Sequence, residues 1–424
     1  MLDPAEPVYR KELQNGNVLR TVATPEELEQ VSQFNGSIHE PGVSGMTYKL
    51  FSSHPAVTGR DLAFIQNDQG QVIASLCLIP WSLDYGGVEL PAAELGIVGT
   101  HPDYRRQGLN RLLMDYFWQR YRERGCLLSI IQGIPYFYRQ FGYEYAHIPL
   151  EGGWRIAPDQ IPSSPDTGFH FRLANSNDMP VLQSLYERVL AGLDLGARRS
   201  PQIWQYLLKA SGQPEAMQHD TWLVENAAGQ VKGYFRVPHF HFHPNLLCVD
   251  EVSPLSFEAN LAALHHLKKL AKERSKDAIR FNLPPENGLL QLVRSFDAAS
   301  LGVYSLQVNI PEPCAFLQRI APLFEARLAD TMFAGLSRSL DLDLYTQTLR
   351  MDFSDGKLQQ VSASQKCEQP ILSIPPRQFI PLVLGGRSLE QIAETFPDAQ
   401  AHTPWQLLVD VLFPKTRSFV HTIY

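Results

Sequence analysis

Hydrophobic and polar positions change period several times along this 424-residue chain, and each change marks an element. Leu28, Val31 and Phe34 recur at helical spacing after Thr24-Pro25-Glu26-Glu27. There Thr24 suits a cap, Pro25 the first helical position and Glu27 the capping box. Two apolar runs, Leu62 to Gln66 and Val72 to Leu78, flank the turn Asn67-Asp68-Gln69-Gly70 and predict a hairpin. Gly86-Gly87 turns that chain back into Val88 to Thr100, whose last part, Leu95 to Thr100, reads as a buried strand. Leu109, Leu112, Leu113, Tyr116 and Phe117 then return to helical spacing, with Gly125 in the stop position. Leu127 to Gln132 is the next strand, parallel to 95–100 by way of that helix. Residues 1–17 read as a loose arm.

The same grammar recurs after a Pro- and Ser-containing linker at Pro158 to Asp166. Asn177-Asp178 opens a helix through Leu182, Leu185 and Val189, and Trp222 to Glu225 with Val231 to Val237 forms a hairpin around Gly229. A strand at Leu246 to Val252, a helix near Ser256 to Glu273, a strand at Ala278 to Leu283 and a helix near 287–296 follow. From Pro311 the texture changes to a helix starting at Pro313, then strands at Leu340 to Tyr345, Leu349 to Phe353 and Leu358 to Ser362. Ile371 to Ile374 and helical stretches at Pro376 to Leu384 and Leu389 to Glu394 complete it. The expected organisation is an α+β chain with mixed sheets: an arm at 1–17, then domains at 18–158, 167–310 and 311–424.

Charge narrows the partners. Lys plus Arg total 37 against 44 Asp plus Glu, a net −7 that speaks against nucleic acid and suits a cationic substrate. Cysteines 77, 126, 248, 314 and 367 form no C-x-x-C pair, as expected of buried thiols in a reducing cytosol. The opening MLDPAEPVYRKEL lacks a signal peptide's apolar run, and no 18-residue apolar segment occurs, so a cytoplasmic protein without a membrane partner is expected. His239, His241 and His243 share one strand face and invite a metal. Pro238 and Pro244 flank them and no fourth ligand is evident, so a polar hairpin edge, and no metal, is the expectation. His265-His266 beside Lys268-Lys269 reads as a solvated helix face.

The candidate chemistry lies in E-L-G-I-V-G-T-H-P-D-Y-R-R-Q-G-L-N-R, residues 94–111. It runs strand, basic glycine-containing turn, helix. A helix start offers unpaired N–H groups and the positive end of a dipole, and two arginines beside it suit a diphosphate. Neither G-x-x-x-x-G-K-[ST] nor G-x-G-x-x-G is present. The stretch resembles motif A of the GNAT-superfamily N-acetyltransferases at Arg105-Arg106-Gln107-Gly108-Leu109-Asn110, with Asn110 in place of the usual small residue. The resemblance implies that Arg105 to Arg111 hold the acetyl-CoA pyrophosphate. It also places Val98 and Thr100, with Gly99 between them, on the pantetheine arm and Gly133 and Ile134 along the thioester. Of the aromatics at 135–145, Tyr138 matches the family's proton donor to the departing thiolate in x-Y-x-x-F-G-Y. Tyr136, Phe137, Phe141 and Tyr143 are expected to pack.

Domain order, L-G-G-R-S-L at 384–389 and L-F-P-K at 412–415 extend the resemblance to the Eis-type acetyltransferases. That implies tandem transferase-like domains followed by a sterol-carrier-like domain. The second lacks the CoA loop, having only S-P-L-S-F-E-A-N after Val252. In that family the last residue, here Tyr424, brings its carboxylate into the active site as a base, and hexamers are common. An α-carboxyl of pKa about 3.5 needs burial to act so, or else anchors the amine or positions a water. The implied activity is acetyl transfer from acetyl-CoA to a primary amine of an aminoglycoside, polyamine or lysine side chain. The rival reading is an acyl-CoA or lipid carrier or sensor with vestigial catalysis.

Overall fold

The computed structural model describes residues 7–162, 168–209, 214–239, 244–364 and 369–424. The chain starts with β1 (Arg10–Glu12) and β2 (Val18–Thr21), which pair antiparallel. The expected loose arm is therefore a sheet edge from Arg10 onward, missed because three exposed polar residues carry no apolar period. The helix α1 (Pro25–Ile38) has the expected capping box between Thr24 and Glu27. A second helix, α2 (Pro41–Ser53), follows at once. Then come β3 (Leu62–Gln66), β4 (Val72–Tyr85), β5 (Val88–Thr100), α3 (Leu109–Glu123), β6 (Leu128–Ile131) and β7 (Glu144–Ile156).

The next stretch holds β8 (Phe169–Leu173), α4 (Met179–Leu190), β9 (Leu195–Ala197), α5 (Pro201–Leu208), β10 (His219–Asn226) and β11 (Val231–Pro238). It continues with β12 (Leu246–Val249), β13 (Glu251–Val252), α6 (Phe257–Glu273), β14 (Ala278–Phe281), α7 (Gly288–Arg294) and β15 (Ala299–Asn309). The last stretch has α8 (Pro313–Arg319), α9 (Ala321–Ala329), β16 (Arg338–Asp343), β17 (Thr348–Ser354), β18 (Lys357–Ser364) and β19 (Leu372–Ser373). It ends with α10 (Phe379–Val383), α11 (Leu389–Ala393), β20 (Gln400–Ala401) and α12 (Gln406–Leu412).

These elements build three sheets among the described residues, and the first of them joins residues 18–158, the first half of the site, to residues 168–310, the second half. Its order is β1-β2-β3-β4-β5-β6-β15-β7-β14-β12, with β9 branching from β4. Strand β15 inserts between β6 and β7, pairing Gln307 with Ile131 on one side and with Tyr145 on the other. In return β7 runs on to pair with β14, Arg155 opposite Arg280. The sheet thus continues across the expected linker, Pro158 to Asp166, of which residues 163–166 lie outside the described residues. Gly152 and Gly153 permit the crossing: a Cβ on either would lie 2.0 Å from a carbonyl oxygen of Gly302 or Phe281. A four-stranded sheet, β13-β11-β10-β8, covers the second half. The C-terminal sheet, β18-β17-β16-β19-β20, has a parallel β16–β19 pair among antiparallel ones.

Two local expectations fail here. His266 is half-buried and stacks on Phe171 with ring centroids 4.3 Å apart, so that face of α6 covers the second half's sheet and is not solvated. Burial among these rings pushes the His266 pKa down to about 4. Phe137 and Tyr136 are exposed at 38% and 73%, while Tyr143 is fully buried with its hydroxyl 2.6 Å from Ser129 Oγ.

Candidate active site

The site begins where two parallel strands part. β5 and β6 pair only over Ala92–Leu128, Ala93–Ser129 and Glu94–Ile130, and beyond Glu94 that edge of β5 has no strand partner among the described residues. On its other edge β5 carries a bulge: Ser75 faces Gly99 but Cys77 faces Gly96, leaving one extra residue on β5. Ile97 accommodates it with φ +48, an unusual backbone for a β-branched residue. The bulge re-aims the backbone of Ile97 and Val98, and both line a chamber of about 710 Å³.

The motif loop hangs from the end of β5. Gly108 (φ +77) sits at the N-terminus of α3 in the left-handed region, with no side chain to cap the first turn. A Cβ there would meet nothing within 4 Å, so open space lies above the helix start. Arg105, Arg106, Gln107 and Arg111 are exposed around it, whereas Leu109 is buried in the core beneath. Asn110, half-buried, keeps its amide oxygen buried without a hydrogen-bond partner. These residues fit a diphosphate: donors and guanidinium groups ring an unfilled helix start.

The structure brings Val98, Gly133, Ile134, Tyr138 and Tyr424 into the lining of one chamber, while Gly99, Thr100 and residues 105–111 are not part of that lining. Gly99 and Thr100 pair with Ser75 and Ala74 of β4. The carbonyl of Gly133 accepts from Gln307 Nε2 at 3.1 Å and from the Tyr304 hydroxyl, so second-half residues fix it. A Cβ on Gly133 would fall 2.4 Å from the Tyr138 ring, which makes that glycine the seat of the tyrosine. Tyr138 is 7% exposed, and burial pushes its pKa up to about 12, keeping the phenol protonated.

Glu94 is the residue whose role the sequence reading left open. It is 2% exposed at the fork of β5 and β6 and lines the chamber. Its carboxylate accepts from Trp81 Nε1 at 2.9 Å, from the Tyr424 hydroxyl at 2.8 Å and from Gln132 Nε2 at 3.3 Å. Desolvation outweighs these bonds and lifts its pKa to about 7. The available signal was a lone carboxylate in the otherwise apolar run Leu90 to Leu95, which broke the strand pattern without explanation.

The chain end is docked and not loose. Phe419, Ile423 and Tyr424 are buried, and the Tyr424 ring meets Trp81 edge-on with centroids 6.1 Å apart. It is the phenol that reaches Glu94, while the Tyr424 carbonyl oxygen accepts from Thr422 Oγ1 at 2.7 Å. The second half also lines the chamber, through Arg236, Asp250, Glu251, Arg280 and Asn282 among others. Among the described residues no group of three or more His, Cys, Asp or Glu could hold a metal; His241 and His243 lie outside them.

Comparison with known proteins agrees with this geometry. Residues 39–146 match a family model described as an acetyltransferase (GNAT) domain. No curated protein matches. A probable N-acyltransferase of Enterococcus faecalis V583 aligns with TM-score 0.68 at 16% identity, covering 96% of this chain and 100% of its own. A GCN5-related N-acetyltransferase of Anabaena variabilis gives 0.64 at 18%, covering 95% and 99%. Eis1 of Mycobacterium abscessus gives 0.59 at 19%, covering 96% and 100%. At these identities the likeness is one of fold, and it extends over nearly the whole chain. With the family match and the forked strands, it identifies an acyl-CoA-dependent N-acyltransferase domain of GNAT type in the first part of this chain.

Proposed function

We propose that the chain transfers acetyl from acetyl-CoA directly to a primary amine of a cationic acceptor, an aminoglycoside, polyamine or lysine side chain, in the manner of the Eis-type enzymes. The observation that carries the reading is Glu94, a buried carboxylate with a pKa of about 7 beside the fork that would receive the thioester. A free amine near pKa 10 must lose a proton before or during attack. Glu94 is a stronger base than an ordinary α-carboxyl near 3.5 by roughly three units, so it suits that step better than the chain-terminal carboxylate. Tyr138, protonated and lining the same chamber, is assigned the acid that delivers a proton to the leaving sulfur. When bound, the CoA thioester supplies the acyl group; the loop at 105–111 and the free edge of β5 are assigned its grip. An N–H near Val98 would meet the developing oxyanion.

Charge in the chamber supports a cationic acceptor. Glu40, Glu94, Glu151 and Asp250 line it with Arg236 and Arg280, Glu251 is already paired with Arg199, and burial lowers the pKa of His39, His219 and His421. The sterol-carrier-like identity of residues 311–424 is supported by their five-stranded mixed sheet and by position. A cytoplasmic setting is supported by the free thiols of Cys77, Cys126, Cys248 and Cys314. No described helix is long and apolar enough to cross a membrane. A hexamer follows from the Eis resemblance and is checked by mass in solution.

The test is CoA release from acetyl-CoA against a panel of amines, beside a form extended by two glycines after Tyr424. Turnover with polyamines or aminoglycosides supports the reading. Binding of acetyl-CoA with no release on any amine overturns it in favour of a carrier or sensor.

A further inference from the structure

Residues 194–199, an excursion of the second half between α4 and α5, run alongside the chain end in successive rungs. Asp194 N–H donates to the Arg417 carbonyl at 2.9 Å, and Arg417 N–H returns to Asp194 Oδ2 at 2.8 Å. Phe419 N–H donates to the Leu195 carbonyl at 3.0 Å, with Leu195 and Ser418 bridged in parallel. The last rung is a side chain. Arg199 gives Nη2 to the Thr422 carbonyl at 2.6 Å and Nε to the same oxygen at 3.1 Å. Two residues later the Tyr424 hydroxyl meets Glu94.

Arg199 is 4% exposed, and its aim is fixed from behind. Glu251 takes Nη1 and Nη2 in a two-pronged bond at 2.7 Å each and also accepts from the Tyr234 hydroxyl. The guanidinium packs over Tyr186 at 4.2 Å and Trp204 at 4.8 Å from the ring centroids. Such a fork is expensive to bury, and here it serves a main-chain carbonyl of the tail as well as Glu251. We infer that Arg199 is a positioning residue for the transfer: with Asp194 and Leu195 it forms the socket of the chain end, and through Thr422 it sets the Tyr424 phenol on Glu94. The second half, which lacks a CoA loop, thus completes the first half's site by holding the tail in register.

The inference rests on Glu94 being the base. Arg199→Lys keeps a charge for Glu251 but loses the planar fork that also reaches the carbonyl. It is measured with Tyr424→Phe and the double variant, following kcat, KM for both substrates and the pH profile. Losing a hydrogen bond to the carboxylate should cost roughly 10-fold to 100-fold in kcat. R199K and Y424F are each expected to lower kcat in that range with KM for acetyl-CoA unchanged. Both should move the acidic limb to higher pH, because the phenol's bond favours the carboxylate form, and the double variant should be no slower than Y424F alone. Losses that multiply, or a pH profile unmoved by R199K, overturn the socket. If R199K does not fold, Glu251→Gln, which keeps the guanidinium but weakens the group that aims it, carries the same expectations. A Glu94→Gln variant with undiminished rate would overturn the base assignment instead, whatever the coupling of Arg199 and Tyr424.

Discussion

Replacing Glu94 by Gln separates what the site gains from what the fold loses. The side chain is nearly isosteric, and its amide can keep the bond from Trp81 Nε1 through oxygen while the Tyr424 hydroxyl turns to accept from nitrogen. The proton acceptor is gone. General-base catalysis contributes typically 10²–10⁴-fold, so E94Q should lose about that much in kcat with little change in acetyl-CoA binding. In the parent, kcat/KM should rise with pH through about 7 and then level, since that is where Glu94 ionises.

Stability should move the other way. Burial raises the Glu94 pKa from 4.5 to about 7, so the folded state holds its proton more tightly than the unfolded chain. That stabilising contribution is fully present below about 4.5 and is lost as pH rises through 7. The shift corresponds to on the order of 3 kcal/mol, at 1.36 kcal/mol per unit. E94Q removes this dependence, so thermal unfolding at pH 8 should show the variant more stable than the parent, with the gap closing toward pH 5. An inactive variant with raised stability at pH 8 is the signature of a functional carboxylate held at a cost. Full activity in E94Q, or a gap that does not depend on pH, would refute the reasoning.

Other substitutions test the remaining parts. Tyr138→Phe should lower kcat by 10-fold or more while sparing the fold, because only the hydroxyl is lost from a ring that packs on Gly133; steady-state CoA release reads it, and an unchanged rate removes Tyr138 from the acid role. Gly133→Ala should act at a distance, since its Cβ would fall 2.4 Å from the Tyr138 ring and force it aside; G133A is expected to reproduce most of the Y138F loss. Arg106→Ala combined with Gly108→Trp should abolish acetyl-CoA binding measured by calorimetry, with circular dichroism unchanged. The two-glycine extension after Tyr424 should lower kcat if the buried end must keep its place, and equal turnover would reduce the tail to packing.

Much of this was legible in the chain because local signals agreed with the fold. The box at Thr24–Glu27, the 67–70 turn and the β5–loop–α3 passage each carry their own period and punctuation, and each forms where expected. What stayed hidden depends on long-range pairing. β15 was not marked: its first half is exposed and its second half is buried only because β6 and β7 flank it. The dense aromatics at 135–145 suggested a core, yet Tyr136 stands outside, because density alone does not say which ring faces in. Glu94 and Arg199 are ordinary letters in sequence; burial and partners 330 and 223 residues away give them meaning.

Those separations bear on how all three stretches would share the proposed reaction. The strand exchange puts β15 directly behind the Tyr138 segment, where Asn309 donates to the Phe141 carbonyl at 2.9 Å and Gln307 to that of Gly133. The support of the proposed acid therefore comes from the second half. The proposed base is partnered by the last residue of the chain, seated by Asp194, Leu195 and Arg199 of that same half. The C-terminal stretch is tied to the first half as well: the Tyr85 hydroxyl donates to the Val383 carbonyl at 2.8 Å, and Arg327 lies over the Tyr85 ring. A first domain expressed alone would keep the fork and the CoA loop but lose the strand that backs Tyr138 and the phenol that orients Glu94. Such a fragment, if it folds, should bind acetyl-CoA and turn over slowly or not at all, which assigns cofactor capture to one stretch and proton control to the assembled chain.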